Sequence, residues 1–273
     1  MSRKNTRGLA LRGARVLITG AGSGIGRQMA LEAARRGASE VILWDLSSER
    51  AEAVKGEIQT AGGVASVGIV NVADRAGVAE AAKSILPVDV LINNAGIVTG
   101  ADLLEATDED IIRTFDVNTL ALYWTTRAFL PAMRDRDRGV IVTVASAAGL
   151  VGVAKQTDYS ASKFAAFGFT ESLRNELRAR GSNVSTLIFA PYYINTGMFD
   201  GVTTKFPRLL PLLDENDVAR RVLDAIESGS QQLILPRLAR IMPATRLLPV
   251  RAFDRVVDFF GINQTMDHFT GRR

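Results

Sequence analysis

The sequence predicts an α/β protein with one doubly wound parallel sheet of seven strands, helices on both faces and an amphipathic helical tail. Short β-branched runs alternate with longer amphipathic stretches through the first two-thirds of the 273 residues. Such βαβ alternation implies a parallel sheet that is covered by helices on both faces. No linker or low-complexity segment interrupts the alternation, so a single domain is the better interpretation.

Strands are predicted where short runs of Val, Ile and Leu occur. These runs cover residues 15–19, 41–45, 64–70, 88–92, 139–145, 183–189 and 232–235. Helices are predicted over the amphipathic stretches between them, at residues 25–36, 48–61, 74–86, 108–133, 158–180 and 214–228. Ser48, Asp108 and Asp214 are the predicted N-caps, since their side-chain oxygens can accept a hydrogen bond from the first backbone N–H groups.

A helical tail is predicted at residues 237–273, packed on a main domain of residues 1–236 that begins with a basic extension. Apolar residues of the tail recur at helical spacing, which predicts an amphipathic helix. They are Val250, Phe253, Val256, Val257 and Phe260. Three interpretations stay open: packing against the body or a partner subunit, a lid over an apolar substrate, or a basic amphipathic contact with a membrane surface.

Composition excludes several classes of chemistry. The chain has no cysteine and a single histidine, His268. Disulfides and thiolate chemistry are therefore excluded, and a Ser-His-Asp hydrolase or a metal site with two imidazoles is not expected. No apolar run approaches the roughly 20 residues that span a bilayer, and the basic N-terminus lacks the apolar core of a signal peptide. A cytoplasmic protein without a metal or a transmembrane segment is expected.

The net charge of +4 is concentrated at the C-terminal end. From residue 231 onward, seven arginines stand against three aspartates, and this excess equals the net charge of the whole chain. The rest of the chain is therefore neutral overall. This distribution argues against a broad nucleic-acid-binding surface.

A glycine-rich turn follows the first predicted strand and opens the first helix. Glycines there let the backbone approach a pyrophosphate, whose charge would lie at the helix N-terminus. The predicted cofactor contacts in the turn are Gly20, Ser23, Gly24, Ile25 and Gly26. The alternative is a merely flexible turn, but the strand-to-helix context favours a dinucleotide site.

Three further strand ends carry candidate cofactor residues. Asp45, followed by Leu46, ends the second strand, where a carboxylate can accept both adenosine ribose hydroxyls and repel a 2′-phosphate. Because no basic residue stands at positions 46–48, NAD is favoured over NADP; the alternative role of Asp45 is a helix cap. Asn71 and Val72 are predicted to contact the adenine. Asn94, Ala95 and Gly96 follow the fourth strand, where small residues allow close approach to the nicotinamide ribose.

Tyr159 and Lys163 are four residues apart and would lie on the same face of a helix. An ammonium beside a phenol stabilises the phenolate, which would lower the tyrosine pKa towards working pH and make it a general acid/base. Ser146 stands thirteen positions before Tyr159. A pair with this spacing also occurs by chance on surface helices, so its weight depends on the other motifs.

With these residues assembled, the chain closely resembles the short-chain dehydrogenase/reductase family over about residues 12–235. The motifs that carry the resemblance are Thr19-Gly-x-x-x-Gly24-Ile-Gly26, Asn93-Asn-Ala-Gly96, Asn118, Ser146 and Tyr159-x-x-x-Lys163. The resemblance implies a Rossmann-like single domain, nicotinamide-dependent oxidoreductase activity, and a homodimer or homotetramer.

The resemblance also implies a role for each matched residue. Tyr159 would be the acid/base, Lys163 would bind the nicotinamide ribose, and Ser146 would stabilise charge on the substrate oxygen. Asn118 would hold a water that relays the proton. Pro191, Ile194 and Thr196 match the segment that contacts the carboxamide. The family commonly has glycine after this proline, whereas this chain has Tyr192, which puts the backbone path there in doubt.

Finer matches resemble the branch that contains 17β-hydroxysteroid and retinol dehydrogenases. They include Leu43-Trp44-Asp45 and Asn195-Thr-Gly197. This resemblance implies a lipophilic alcohol or its carbonyl as the substrate, with NAD as the cofactor. Two alternatives stay open: a 3-oxoacyl thioester reductase of the same family, and a non-catalytic nucleotide-binding interaction protein.

Overall fold

The computed structural model describes residues 8–85 and 87–271. The basic N-terminal residues Arg3, Lys4 and Arg7, as well as Arg272 and Arg273, lie outside the described residues, and so does Leu86 at the end of a predicted helix. A seven-stranded sheet forms the centre of the fold, and every neighbouring pair of strands is parallel. The prediction of a seven-stranded α/β fold is confirmed.

The strands follow one another along the chain as β1 to β7, and their order in the sheet is β3-β2-β1-β4-β5-β6-β7. The chain reverses direction across the sheet between β1 and β4, which creates a crevice at the carboxyl ends of these strands. The strands are β1 Arg15–Thr19, β2 Glu40–Asp45, β3 Ala65–Ile69, β4 Val90–Asn93, β5 Val140–Val144, β6 Ser185–Pro191 and β7 Gln232–Leu235.

Helices cover both faces of the sheet. They are α1 Gly24–Arg35, α2 Ser48–Thr60, α3 Arg75–Lys83, α4 Asp108–Phe115, α5 Ala121–Asp135, α6 Thr157–Ala179, α7 Glu215–Ser228, α8 Met242–Thr245 and α9 Val250–Phe259. The buried residues of α1, α2 and α7 share one core with alternate residues of the central strands. Those of α3, α5 and α6 form a second core on the opposite face, where Trp44 packs against Phe129 with ring centroids 5.5 Å apart.

Two details of the predicted helices are corrected. The helix predicted over 108–133 is divided into α4 and α5 by a π-helical segment, Asp116–Leu120. The caps of α2 and α4 are Ser47 and Thr107, one residue before the predicted Ser48 and Asp108. In each case the side-chain oxygen accepts a hydrogen bond from the N–H group three residues later, so the predicted mechanism acts one position earlier. Asp214 caps α7 as predicted.

The tail folds back over the carboxyl ends of β5 and β6. Val257 of α9, together with Ile262 and Met266, is buried in a third apolar cluster that also contains Tyr192 and Tyr193. A hydrogen bond from Thr203 N to Thr265 O, 3.3 Å long, is one of several backbone links between the tail and the loop after β6. Within the described part of the chain, we find no helix that combines the length and apolar character needed to cross a bilayer.

Candidate active site

A cavity of about 500 Å³ opens at the carboxyl ends of the strands, where the sheet order reverses. All the residues predicted to contact a cofactor or substrate line this cavity, with the exception of Asn118. They come from the carboxyl ends of the six strands β1 to β6, from the start of α1 and from α6. The fold therefore brings together residues that are far apart in the sequence.

The glycine-rich turn is held by contacts that leave no room for side chains. A Cβ on Gly26 would overlap the carbonyl oxygen of Gly20, and a Cβ on Gly20 would lie 3.0 Å from Ala95 Cα. Gly20 also has a φ of 64°, in the left-handed region that favours glycine. The Asn94 side chain donates hydrogen bonds to the carbonyl oxygens of Thr19 and Gly20, at 2.9 and 3.1 Å. The turn is thus fixed to the end of β4.

Thr19 is a contact that the sequence-based list of site residues lacks. Its hydroxyl accepts hydrogen bonds from the backbone N–H groups of Asn94 and Ala95, both at 3.0 Å. The residue is buried at the end of β1. Its place at the head of the glycine motif was a signal for a structural role, and the hydrogen bonds show that this role is to join the ends of two strands.

Asp45 lies beside the glycine-rich turn, at the adenosine end expected for this cavity. Its carboxylate accepts hydrogen bonds from Gly22 N at 2.8 Å and from Ser47 N at 2.9 Å. Arg50 of α2 also lines the cavity, and its Nη2 atom lies 3.5 Å from Asp45 Oδ1. Positions 46–48 contain no base, as the sequence indicated, but the first turn of α2 brings one to the carboxylate.

The remaining predicted cofactor residues lie around the glycine-rich turn. Gly24 faces Thr196, because a Cβ on this glycine would lie 3.2 Å from Thr196 Cβ. Asn71 is exposed, and its side-chain oxygen accepts a hydrogen bond from Ala73 N at 3.0 Å.

The backbone at Tyr192, where the family commonly has glycine, is of an ordinary kind. Tyr192 does not have a positive φ, and its N–H group donates to Leu235 O at 2.8 Å. The backbone after Pro191 therefore needs no glycine at this position.

Tyr159 and Lys163 lie on one face of α6 and are both buried. Lys163 Nζ lies 5.6 Å from the centroid of the Tyr159 ring and donates a hydrogen bond to Val144 O at 3.0 Å. The Ser146 hydroxyl is a hydrogen-bond partner of the Tyr159 hydroxyl. It also caps the short 3₁₀ turn Ala147–Gly149 by accepting from Ala148 N at 3.1 Å.

Burial decides the pKa values of this pair. Removal from water raises the pKa of Tyr159 well above its ordinary value, and the hydrogen bond with Ser146 opposes this only in part. Burial also lowers the pKa of Lys163 to about 8. The expectation that Lys163 lowers the pKa of Tyr159 is therefore not met by these residues alone, because the desolvation of the phenolate outweighs the distant ammonium.

Asn118 lies behind the cavity wall, in the π-helical segment between α4 and α5. Its Oδ1 accepts from Ile97 N at 2.9 Å, and its Nδ2 donates to Ile97 O at 2.9 Å and to Ser162 Oγ at 3.0 Å. The side chain thus joins the strand end after β4 to α6. A Cβ on Gly96 would lie 3.3 Å from Asn118 Oδ1 and 3.4 Å from Lys163 Nζ, so a larger residue here would crowd both side chains.

The end of the cavity beyond Tyr159 is largely apolar and aromatic. Phe199 contacts Tyr159, Tyr193 and Phe269, with ring centroids 5.8, 5.0 and 6.4 Å away. Val151, Met242 and Ile262 also line this end. Phe269 comes from the tail, so the tail supplies part of the cavity wall.

Two glycines make room for the tail. A Cβ on Gly100 would overlap the Phe269 ring, and a Cβ on Gly201 would overlap the carbonyl oxygen of His268. Both glycines have positive φ angles, of 72° and 85°. Sequence reasoning missed Phe269 because nothing local in the tail indicates which distant loop it contacts.

A buried polar chain joins the tail to the start of α6. Gln156 Nε2 donates to the Tyr193 hydroxyl at 3.3 Å, and this hydroxyl lies 2.8 Å from Thr265 Oγ1. Gln156 and Tyr193 line the cavity. The sequence offered one signal for Gln156, since it lies three residues before Tyr159 and therefore near the same face of the helix.

Comparison with known proteins agrees with this geometry. A family model described as short chain dehydrogenase matches residues 14–206. Mouse epidermal retinol dehydrogenase 2 is 40% identical, with 94% of this chain and 85% of the relative aligned. Human 17-beta-hydroxysteroid dehydrogenase 13 is 38% identical, with 87% of this chain and 80% of the relative aligned.

Solved structures with the same fold contain both forms of the nicotinamide cofactor. A short chain dehydrogenase/reductase from Burkholderia phymatum in complex with NAD has a TM-score of 0.78 at 27% identity, and the match covers 88% of this chain and 94% of that one. A metagenomic short-chain oxidoreductase in complex with NADP has a TM-score of 0.69 at 30% identity, over 83% and 96% of the two chains.

Proposed function

The chain belongs to the short-chain dehydrogenase/reductase family, in the branch with retinol and 17β-hydroxysteroid dehydrogenases, and we propose that it interconverts a lipophilic alcohol and its ketone or aldehyde by NAD-dependent hydride transfer. Membership of the family confirms the resemblance that the motifs indicated, and it makes the chain an oxidoreductase that acts on CH–OH groups. The substrate class, the preference for NAD and the role of each residue are proposals.

One observation carries the proposal: the hydroxyl of the buried Tyr159 and that of the half-buried Ser146 meet in a cavity that joins the glycine-rich turn to an apolar, aromatic end. Oxidation of a carbinol requires an acceptor for the hydride and a group that takes the hydroxyl proton. A cavity lined by the glycine-rich turn at one end, by a phenol, and by apolar side chains at the other end meets these needs in one space. A non-catalytic nucleotide-binding protein would not need the phenol there.

The residues at the first end fit a dinucleotide. The overlaps that a Cβ on Gly20 or Gly26 would make show a backbone surface stripped of side chains next to the N-terminus of α1, as a pyrophosphate requires. Asp45 would accept the adenosine ribose hydroxyls, and Lys163 would donate to the nicotinamide ribose. When bound, NAD supplies the group that accepts or returns the hydride, and its oxidised ring brings a positive charge.

Tyr159 is the proposed acid/base, and its proton is held at the phenolic oxygen. Its raised pKa keeps the phenol neutral in the free protein, which suits donation to a carbonyl. For alcohol oxidation the phenolate is needed, so positive charge in the closed site has to offset the desolvation that raises the pKa. Lys163 supplies part of that charge below its own pKa of about 8.

Ser146 and Asn118 have supporting roles in this proposal. The Ser146 hydroxyl can donate to the substrate oxygen and stabilise negative charge on it. Asn118 positions the wall behind Lys163 by its hydrogen bonds to Ile97 and Ser162. Since its side-chain amide is occupied by these bonds, we expect any relay water to bind the backbone of the π-helical segment, where the helical hydrogen-bond pattern is interrupted.

The aromatic and aliphatic lining supports a lipophilic substrate. Phe199, Phe269 and Ile262 present carbon surface to the space beyond Tyr159, and burial of apolar substrate surface there contributes roughly 25 cal/mol for each Å² removed from water. The relatives' names point to retinoids and steroids. A cytoplasmic location and a homodimer or homotetramer belong to the same proposal and are supported by the cysteine-free composition and by the family.

The test is a turnover assay with a panel of donors. Purified protein is mixed with NAD and with all-trans-retinol, a 17β-hydroxysteroid, a medium-chain secondary alcohol or a hydrophilic polyol, and NADH is followed by its fluorescence. We expect turnover of the lipophilic alcohols and little or none of the polyol. The reverse assay uses the reduced cofactor with the matching carbonyls and with a 3-oxoacyl thioester. Turnover of the thioester alone would favour the alternative enzyme, and nucleotide binding without turnover of any donor or carbonyl would favour the non-catalytic alternative.

A further inference from the structure

We infer that the side-chain oxygen of Gln156 binds a hydroxyl group of the substrate, so that the preferred substrate is a lipophilic alcohol or ketone with a second hydroxyl close to the reacting carbon. The inference rests on the proposed function and deepens it by naming a second polar group on the substrate. It concerns the end of the cavity beyond Tyr159, where the walls are largely apolar and aromatic.

Gln156 is a buried polar residue in the wall of this space. Its exposed fraction is only 1%, yet it lines the cavity. It directly precedes α6 and stands three positions before Tyr159, about one helical turn away. Phe199 packs against both Tyr159 and Tyr193, with ring centroids 5.8 and 5.0 Å away. A substrate whose reacting oxygen meets Tyr159 therefore has the Gln156 amide within reach of a neighbouring substituent.

The hydrogen bonds behind Gln156 decide which end of its amide is turned to the cavity. The Thr265 hydroxyl donates its one proton to Ile262 O at 2.8 Å. The Tyr193 hydroxyl, 2.8 Å from Thr265 Oγ1, must therefore donate to that atom and can only accept from Gln156. Because the nitrogen is the donor of an amide, Nε2 is the atom that lies 3.3 Å from the Tyr193 hydroxyl. The side-chain oxygen is the end that this chain of bonds leaves over.

The side-chain oxygen of Gln156 has no hydrogen-bond donor among the described residues. It is also not one of the atoms that are sealed from solvent without a partner, so a ligand in the cavity can reach it. An amide oxygen only accepts, and a hydrocarbon placed against it would leave it without a partner. The group that fits is a neutral hydroxyl, since an ammonium would lose its water to apolar walls.

The test compares ketones of one chain length in the reduction assay with NADH. They are methyl nonyl ketone, its α- and β-hydroxy derivatives, and the methyl ethers of both derivatives. An ether keeps the oxygen but has no proton to donate. We expect the wild-type kcat/KM of the better hydroxy ketone to exceed that of the plain ketone and of its own ether by about tenfold. Gln156→Met removes the acceptor at similar length and should bring this ratio to about one, whereas damage to the fold would lower all the rates together.

Thr265→Val gives a second readout, because it reverses the direction of the hydrogen bonds. Without the Thr265 hydroxyl, the proton of Tyr193 is free for the side-chain oxygen of Gln156, and the amide turns its nitrogen to the cavity. We then expect the preference to move from the hydroxy ketone to its methyl ether, which only accepts. Thr245→Val is the matched control, since Thr245 also donates to the carbonyl oxygen three residues earlier, Met242 O, at 2.7 Å, and does not line the cavity.

Binding is measured apart from turnover. Isothermal titration calorimetry of the ketones with Tyr159→Phe and NADH should show a preference for the hydroxy ketone of similar size. Equal kcat/KM values for all the ketones in the wild type, or a ratio that Gln156→Met leaves unchanged, overturn the inference and leave the proposed function standing. If the wild type turns over none of the ketones and none of the alcohols, the proposed function fails, and the inference fails with it.

Discussion

Lys163 Nζ donates its hydrogen bond to the carbonyl oxygen of Val144, at 3.0 Å, and not to the neighbouring Tyr159. The ammonium therefore stays at the end of β5, 5.6 Å from the centre of the tyrosine ring. From there it can donate to a ligand in the cavity with its remaining N–H groups. Tyr159 and Lys163 therefore share one buried space without a direct hydrogen bond between them.

Tyr159→Phe should abolish turnover and leave the nucleotide site intact. The phenyl ring keeps its contact with Phe199 but has no proton to exchange, and a placed acid/base is typically worth about 10²–10⁴-fold in rate. We expect a loss of kcat of this size with an unchanged dissociation constant for NADH, measured by fluorescence. Tyr123→Phe is the control, because Tyr123 is half exposed on α5 and outside the cavity. Undiminished turnover in Tyr159→Phe would remove the phenol from the mechanism.

Lys163→Met should lower activity and, at neutral pH, stabilise the nucleotide-free protein. The folded-state pKa of about 8 lies below the ordinary value of 10.5. Below pH 8 Lys163 is protonated in both the folded and the unfolded protein, and the folded protein bears the full cost of a buried cation. Between pH 8 and 10.5 this cost is relieved, so the stability of the wild type rises with pH relative to the variant.

We expect the free energy of unfolding of Lys163→Met to exceed that of the wild type by about 1 kcal/mol at pH 7. The variant no longer buries a cation, and the loss of the hydrogen bond to Val144 O offsets this gain in part. The advantage should shrink towards pH 10.5. Urea unfolding at pH 7, 9 and 10 measures it, and Lys83→Met, an exposed lysine, serves as the control. If the variant is less stable than the wild type at pH 7, burial of the Lys163 ammonium does not destabilise the folded protein.

The sheet could be predicted from the sequence because its strands are buried on both faces. β5, Val140–Val144, is buried at every position, and such strands read as continuous apolar runs. The glycine-rich turn could also be predicted, because its residues are close together in the sequence. The contact that requires Gly26 is with Gly20 of the same turn. Even the caps were displaced by only one residue.

The rest of the site depends on contacts that leave no local pattern. The π-helical segment at Asp116–Leu120 has the same apolar spacing as an ordinary helix, so its interrupted hydrogen bonds could not be predicted. Phe269 reaches the cavity only because Gly100, far away in the chain, lacks a side chain. Arg50 was visible as a helical residue, but its approach to Asp45 depends on where the cap of α2 lies.

Glu32→Gln should destabilise the protein at neutral pH and flatten the acid limb of its stability curve. Hydrogen bonds from Arg35, 2.6 and 2.7 Å long, and from Arg36 lower the pKa of this nearly buried carboxyl. A lowered pKa means that the stabilisation is complete above the unfolded value of about 4.3 and is lost as pH falls through the folded value.

We expect Glu32→Gln to cost about 1 kcal/mol at pH 7, since Arg35 is largely exposed and water screens its pairing with Glu32. The difference from the wild type should shrink as pH falls below the unfolded pKa of about 4.3 and on through the lowered folded value. Urea unfolding from pH 3 to pH 7 measures it. Glu80→Gln breaks a fully solvated pair with Lys83 and should change little; an equal effect of the two substitutions would contradict the role of burial.

Phe269→Ala should extend the range of substrates towards longer ones. The ring closes the cavity beyond Phe199 and is seated against Gly100, so its removal opens space in line with the reacting groups. We expect the chain length of the best secondary alcohol, from hexanol to tetradecanol, to increase by about three carbons, because each additional buried CH₂ contributes about 0.8 kcal/mol only where there is room for it. The measurement is kcat/KM across the series.

Phe259→Ala is the matched control for this prediction, since Phe259 is an exposed aromatic residue of the same tail and lies outside the cavity. Gly100→Ala offers a second route to the same effect: its Cβ would overlap the Phe269 ring and displace it, although the positive φ adds strain. Both cavity variants should move the optimum in the same direction while Phe259→Ala leaves it in place. A uniform fall in kcat/KM without a shift in the optimum would mean that the tail supports the fold and does not set the length of the substrate.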